Sequence, residues 1–277
     1  MTDKEESNNV EGTINAVTGL VKEVPIYNDA IQPFAKEVGK SLETVGKTVN
    51  LALAPIRAMI WGADRIEEFV NTKVAKRLEQ VPIENIQTPD PSVAGPALES
   101  LKYNGHKETL ADLYANLIAS AMDKSSSKLA HPGFVEIIRN LSSDEAKIFN
   151  FLSTANVQPI CNISSSVQNS NGRNIVAELV SHIGVDSKVQ HNDLMPSYLT
   201  NLERLGLIDI PRETYLTQKD SYKRLEEDPS VRALLNQINA ENQALGITGK
   251  IDKFIVKVTS FGKLFGQACV KKPNKPL

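Results

Sequence analysis

Residues 106–124 read HKETLADLYANLIASAMDK, and the fold follows from them. Leu110, Leu113, Tyr114, Leu117, Ile118, Ala121 and Met122 fall at i, i+3, i+4, i+7, i+8, i+11 and i+12, the spacing that aligns side chains on one face of an α-helix. A stripe this long and unbroken predicts a helix at the centre of a helical core. Asn116 falls one position off the stripe. Its amide either faces water or caps a neighbouring helix, because a buried amide needs partners for its donors and acceptors.

Upstream, the apolar series Phe34, Val38, Leu42, Val45, Val49, Leu53, Ile56 and Ile60 recurs every three or four residues. From Val49 to Gly62 the only charge is Arg57, a run of 14 residues, short of the roughly 20 that span a bilayer. The opposite face carries Lys36, Glu37, Lys40, Glu43 and Lys47. Mixed signs suit packing on other helices better than lying on anionic lipid. A second helix is expected from Asp64 to Val81, with Ile66, Phe69, Val70, Val74, Leu78 and Val81 inward, acids in its early turns and bases in its late ones. Pro82, Pro89, Pro91 and Pro96 then predict extended or turned chain, with Pro96 tolerable only near a helix start.

Downstream, His131-Pro132 opens a short helix with Phe134, Ile137, Ile138 and Leu141 inward, and Ser142 with Glu145 has capping-box spacing. QPICNIS and RNIVAELV, separated by Asn169-Ser170-Asn171-Gly172, read as a β-hairpin. Helix returns from Asn192 to Leu205, with Leu194, Tyr198, Leu199, Leu202 and Leu205 inward and Gly206 as its stop. Residues 207–210 form a short strand, residues 219–245 a polar helical stretch broken near Asp228-Pro229, and KIDKFIVKVT a strand alternating at Phe254, Val256 and Val258. A last helix buries Phe261, Leu264, Phe265 and Ala268. The expected fold class is mainly α: a helical N-terminal half, residues 1–130, followed by an α+β winged-helix-like half, residues 131–270, and a loose tail, residues 271–277.

Composition narrows the function classes. The chain has 277 residues, 41% apolar and 23% charged, with net charge -2; disorder and a surface wholly given to nucleic acid are excluded. The N-terminal 130 residues carry 14 bases and 18 acids, the remainder 17 and 15. Cys161 and Cys269 stand alone, without zinc or redox spacing, and the acidic, polar start is unlike a signal peptide, so a reduced cytoplasmic setting is expected.

No reaction motif emerges. His106, His131, His182 and His191 lack metal-ligand spacing, no phosphate-binding glycine loop or serine elbow is present, and Glu67-Glu68, Asp144-Glu145 and Glu226-Glu227-Asp228 lie where helix starts or solvated faces account for them. No catalytic, metal or cofactor site is assigned, and the chain reads as a non-enzyme. A DNA-binding reading would use Ser197, Asn201 and Arg204 on the 192–205 helix, with Lys250, Lys253 and Lys257 as a basic wing. That helix carries Asp193 and Glu203 against Arg204, a poor match to phosphate.

The ordered series APIRAMIWGADRIEEFV, VPIENIQTPDPSVAGPALESLKY, LADLYANLIASAMDK and AHPGFVEIIRNLSSDEAKI resembles the abortive-infection alpha family, a bacterial family linked by name to phage defence; YLTNLERLGLI and VTSFGKLF extend the resemblance. It implies an intracellular bacterial protein with a role in halting infection and supplies no catalytic residues. Matching positions include Trp61, Asn116, Asp123 and His131, which become candidate interface residues. The resulting expectation is a defence protein acting through a protein partner or self-association; the alternatives are a winged-helix DNA-binding regulator and a membrane-perturbing effector using residues 34–61.

Overall fold

The structure, a computed structural model, describes residues 42–57, 63–155, 157–167, 172–241 and 246–270. Helix α1 (Leu42–Arg57) is followed by α2 (Ala63–Phe69), which passes through a π turn (Val70–Val74) into α3 (Ala75–Leu78). Then come α4 (Pro91–Asn104), α5 (Glu108–Met122), α6 (Gly133–Arg139) and α7 (Ser143–Ala155). Strands β1 (Val157–Val167) and β2 (Arg173–Val180) precede α8 (Ile183–Asp186), α9 (Met195–Arg204) and β3 (Ile208–Asp209). Finally α10 (Lys223–Glu226), α11 (Pro229–Glu241), β4 (Ile247–Val258) and α12 (Ser260–Phe265) lead into a second π turn (Gly266–Val270). The protein is mainly α with an α+β C-terminal part.

Helix α5 is the axis of the fold. From Leu110 to Met122 every residue except Asp112 is buried. The apolar stripe accounts for one side; on the other, Ala111, Ala115, Ala119 and Ser120 are small enough for neighbours to approach closely. Helices α4, α6 and α7 and both π turns pack around it. Val45, Val49 and Leu53 of α1 are buried in the same core, which continues through Phe134, Phe149, Ile160, Leu199, Phe254 and Val256 to Cys269. One hydrophobic core therefore joins the helical region to the sheet. Three members of the α1 stripe, Val45, Val49 and Leu53, are covered by protein; Phe34, Val38 and Ile60 of the same series, and the side chains of Leu42 and Ile56, lie outside the described residues.

The prolines behave differently from expectation. The chain is already helical at Pro91, where Asp90 caps α4 by accepting from the Ser92 N–H at 2.8 Å and the Ser92 hydroxyl at 2.7 Å. Pro96 sits in the second turn and leaves one carbonyl without an intrahelical donor. Gly95 before it has no Cβ to meet the proline ring, which removes part of the usual restriction.

The four strands are antiparallel in the order β2-β1-β4-β3. β1 and β4 pair without interruption from Val157↔Lys257 to Val167↔Ile247, whereas the β1–β2 ladder has irregularities on both sides of Ile163. The expected hairpin is present, and its turn, residues 169–172, includes positions outside the described residues. One sheet face, with Ile160, Phe254, Val256 and Val258, joins the main core. The other carries Cys161 against Tyr222 and Leu225, and Ile163 against Val231 and Ile238 of α11. Because α10 and α11 cover this second face, β4 shows burial on both sides instead of simple alternation.

Two expectations about inward side chains are corrected. Leu194 lies before α9 and is exposed, because Pro196 starts the helix at Met195 and leaves Leu194 in the cap position. Phe261 is exposed at the end of an aromatic series in which its ring lies 5.4 Å from Phe134, itself 5.2 Å from Phe265. Helix α9 ends as expected: Gly206 adopts φ +71°, the Gly206 N–H donates to Glu203 O at 2.9 Å and the Leu207 N–H to Leu202 O at 3.1 Å.

Candidate functional site

The polar side chains singled out by sequence occupy separate places. Asn116 is buried, and its amide donates to Cys269 O at 2.7 Å while its carbonyl accepts from Arg77 Nε. Arg77 also reaches Asp112 at 3.0 Å, and Ser120 donates to Ala268 O at 2.9 Å. Of the two options open to Asn116, the structure shows the cap: its amide donates to carbonyls at the end of the second π turn.

Asp123 caps the end of α5. It is buried, and Oδ1 accepts from the Ser125 N–H at 2.9 Å and the Ser125 hydroxyl at 2.8 Å. His131 is exposed and accepts from the Gly133 N–H through Nδ1 at 3.0 Å, with its ring 6.1 Å from Phe261. Trp61 lies outside the described residues. Asn116 and Asp123 thus have their polar atoms taken up internally, and His131 sits with the aromatic series at the surface.

Four of the six proposed DNA contacts, Asn201, Arg204, Lys253 and Lys257, also have internal partners. Asn201 donates to Glu145 Oε1 at 2.7 Å and to Asn140 O at 3.1 Å, and accepts from Arg204 Nη2 at 2.7 Å. Ser197 is exposed. Lys253 pairs with Glu226 at 2.6 Å and lies over the Tyr222 ring; Lys257 pairs with Asp209 at 3.1 Å. Strand alternation sets Lys250 on the face opposite to Lys253 and Lys257. The three lysines do not share one basic wing.

What holds α9 in place is a buried carboxylate that sequence assigned to a solvated helix start. Asp144 accepts from Lys147 Nζ at 2.9 Å, from the Gln190 and His191 N–H groups at 2.9 and 3.1 Å, and from Tyr198 at 3.4 Å. Burial pushes its pKa up, but these donors outweigh it and hold the carboxyl below its ordinary range. Glu145 completes the capping box with Ser142, accepting from the Ser142 N–H at 2.6 Å. Together they fix the segment between α8 and α9 onto α7.

That corner presents apolar groups to solvent: Val185 is 58% and Leu194 43% exposed. Residues 182–205 carry Lys188 and Arg204 against Asp186, Asp193 and Glu203. Asp186 is held bidentately by Arg224 at 2.8 and 3.0 Å, so α8 is braced from α10 as well. Sequence reasoning missed this surface by counting Leu194 into the inward stripe; Pro196 was the signal that could have found it. Among the described residues no group of three His, Cys, Asp or Glu side chains could hold a metal ion, and no helix is long and apolar enough to cross a membrane.

A family model described as abortive infection alpha matches residues 62–269. No curated protein matches the chain. A solved structure of an uncharacterized protein from the hydrocarbon-degrading marine bacterium Alcanivorax borkumensis SK2 aligns at 18% identity over 53% of this chain and 96% of that one, with a TM-score of 0.33. A likeness at that level carries no argument about fold or function.

Proposed function

We propose that this chain, which belongs to the abortive infection alpha family, is a non-enzymatic phage-defence protein that works by docking a protein partner through the α8–α9 corner. The observation that carries the reading is the exposure of Val185 and Leu194 on a rigidly braced corner bordered by Asp186 and Asp193. Exposed apolar side chains on a fixed scaffold favour protein contact. The excess of carboxylates there disfavours a phosphate backbone. Asn201 and Arg204, the groups that would read a nucleic acid, bond to each other instead.

A winged-helix relationship is supported by the element order. Helix α7, strand β1, helices α8 and α9, then β3 and β4 follow the order of such a module, with β4 between β1 and β3 in the sheet. On this reading β2 is an added strand, and α10 with α11 fills the connection that would otherwise be a wing. The module then serves as a protein-docking scaffold.

The test is a phage challenge in a host expressing the wild-type chain or the Val185→Asp, Leu194→Asp double variant, combined with affinity capture during infection. Both side chains are exposed, so the variant should unfold at the wild-type temperature while losing protection and the captured partner. Undiminished protection would overturn the reading.

A further inference from the structure

Strand β2 is the outer strand on its side of the sheet. The opposite side is closed: Tyr222 donates to Phe254 O at 2.8 Å, Asn239 accepts from the Gly249 N–H at 2.8 Å, and β3 covers the last two residues of β4. No comparable hydrogen-bonded guard lies along residues 173–178 among the described residues; α9 packs against β2, and Arg173 reaches Asp252 across the sheet at 3.4 Å. Arg173, Asn174, Ile175 and Val176 are all exposed, with Ile175 at 47% and Val176 at 43%. An open edge bearing apolar side chains is a template for another strand.

The irregular ladder gives this edge a particular symmetry. Arg173 pairs with Ser166 and Ile175 with Ser164, whereas Ala177 pairs with Ile163, so two steps along β2 match one along β1. Asn174 and Ala177 therefore share one sheet face. Arg173 and Glu178 share the other, although strict alternation would separate residues five apart.

We infer that β2 pairs antiparallel with β2 of a second copy of this chain, across a two-fold axis between Ile175 and Val176. In this register Arg173 of each copy stands opposite Glu178 of the other, Asn174 opposite Ala177, and Ile175 opposite Val176. A two-fold axis normal to the sheet preserves faces, so paired residues must share one; the irregularity allows Arg173 and Glu178 to do so. Charge complementarity selects a second copy as occupant, and the two four-stranded sheets become one. The inference stands apart from the α8–α9 corner: loss of the dimer leaves that docking reading untouched.

Sedimentation velocity on the full chain over a concentration series tests it. The wild type should dimerise. Arg173→Glu sets two like-charged pairs across the axis, and so does Glu178→Arg; each alone should raise the dimer Kd by about tenfold or more. Mixing the two variants restores both opposite-charge pairs and should restore association. A wild type that stays monomeric, or a dimer indifferent to both changes, would overturn the inference. Mixed Asn174→Cys and Ala177→Cys chains give a second measurement that does not depend on those variants folding. Mild oxidation should link unlike chains, since native Cys161 and Cys269 are buried, and absence of the link counts against the register.

Discussion

Asn116 holds Cys269: its side-chain amide donates to the Cys269 carbonyl at 2.7 Å across 153 residues of sequence. Replacing Asn116 with Ala removes the amide's bond to that buried carbonyl and the acceptor for Arg77 Nε. The expected cost is about 1–3 kcal/mol, read as a lower urea midpoint at unchanged slope. Asn116→Asp should not rescue, because a carboxylate offers no donor to the carbonyl. An unshifted midpoint for Asn116→Ala would show that the contact contributes nothing.

Leu53 is fully buried in α1. Leu53→Asp should therefore weaken the fold by more than about 3 kcal/mol through an unpaired buried charge, visible in thermal melting without any lipid. Were the variant as stable as wild type while the wild type floated with liposomes, the α1 stripe would be a membrane face after all.

Stability should fall on the acid side. The Ser230 hydroxyl and N–H, with His182, draw the Asp228 carboxyl down to about 2 from an ordinary 3.8, against the upward push of burial; Asp144 is lowered as well. Groups with depressed native pKa values stabilise the fold fully above their unfolded values, and that contribution fades as pH falls through the native ones. Unfolding free energy should be flat just above pH 5 and decline from about pH 4 toward 2. Asp144→Asn and Asp228→Asn should each make the decline shallower; unchanged slopes would remove these carboxylates from the account.

Much of the architecture was legible because it rests on local signals. The α5 stripe, the Ser142–Glu145 capping box, the Gly206 stop and the hairpin each depend on residues a few positions apart. The π turn at Val70–Val74 was not legible: Val70 and Val74 are four apart and fit an ordinary helix equally well. Pro96 misled because the compensating features, the Asp90 cap and Gly95, act on the helix as a whole. Asn116 could be narrowed to two states but not decided, since its partner lies in a distant segment. Asp144 was misread for a similar reason. Its donors come from Gln190 and His191, and nothing near position 144 announces them.

The pairing of α5 with the closing π turn constrains how the protein is made. Ala268, Cys269 and Val270 leave the ribosome about 150 residues after Asn116 and Ser120, so one flank of the central helix stays unsheltered over that interval. Completion of the interior thus waits for the segment around Ala268–Val270 to emerge. A nascent chain stalled before residue 260 exposes that apolar flank to chaperones and proteases, and a reading-frame loss ahead of Ala268 acts on the whole molecule.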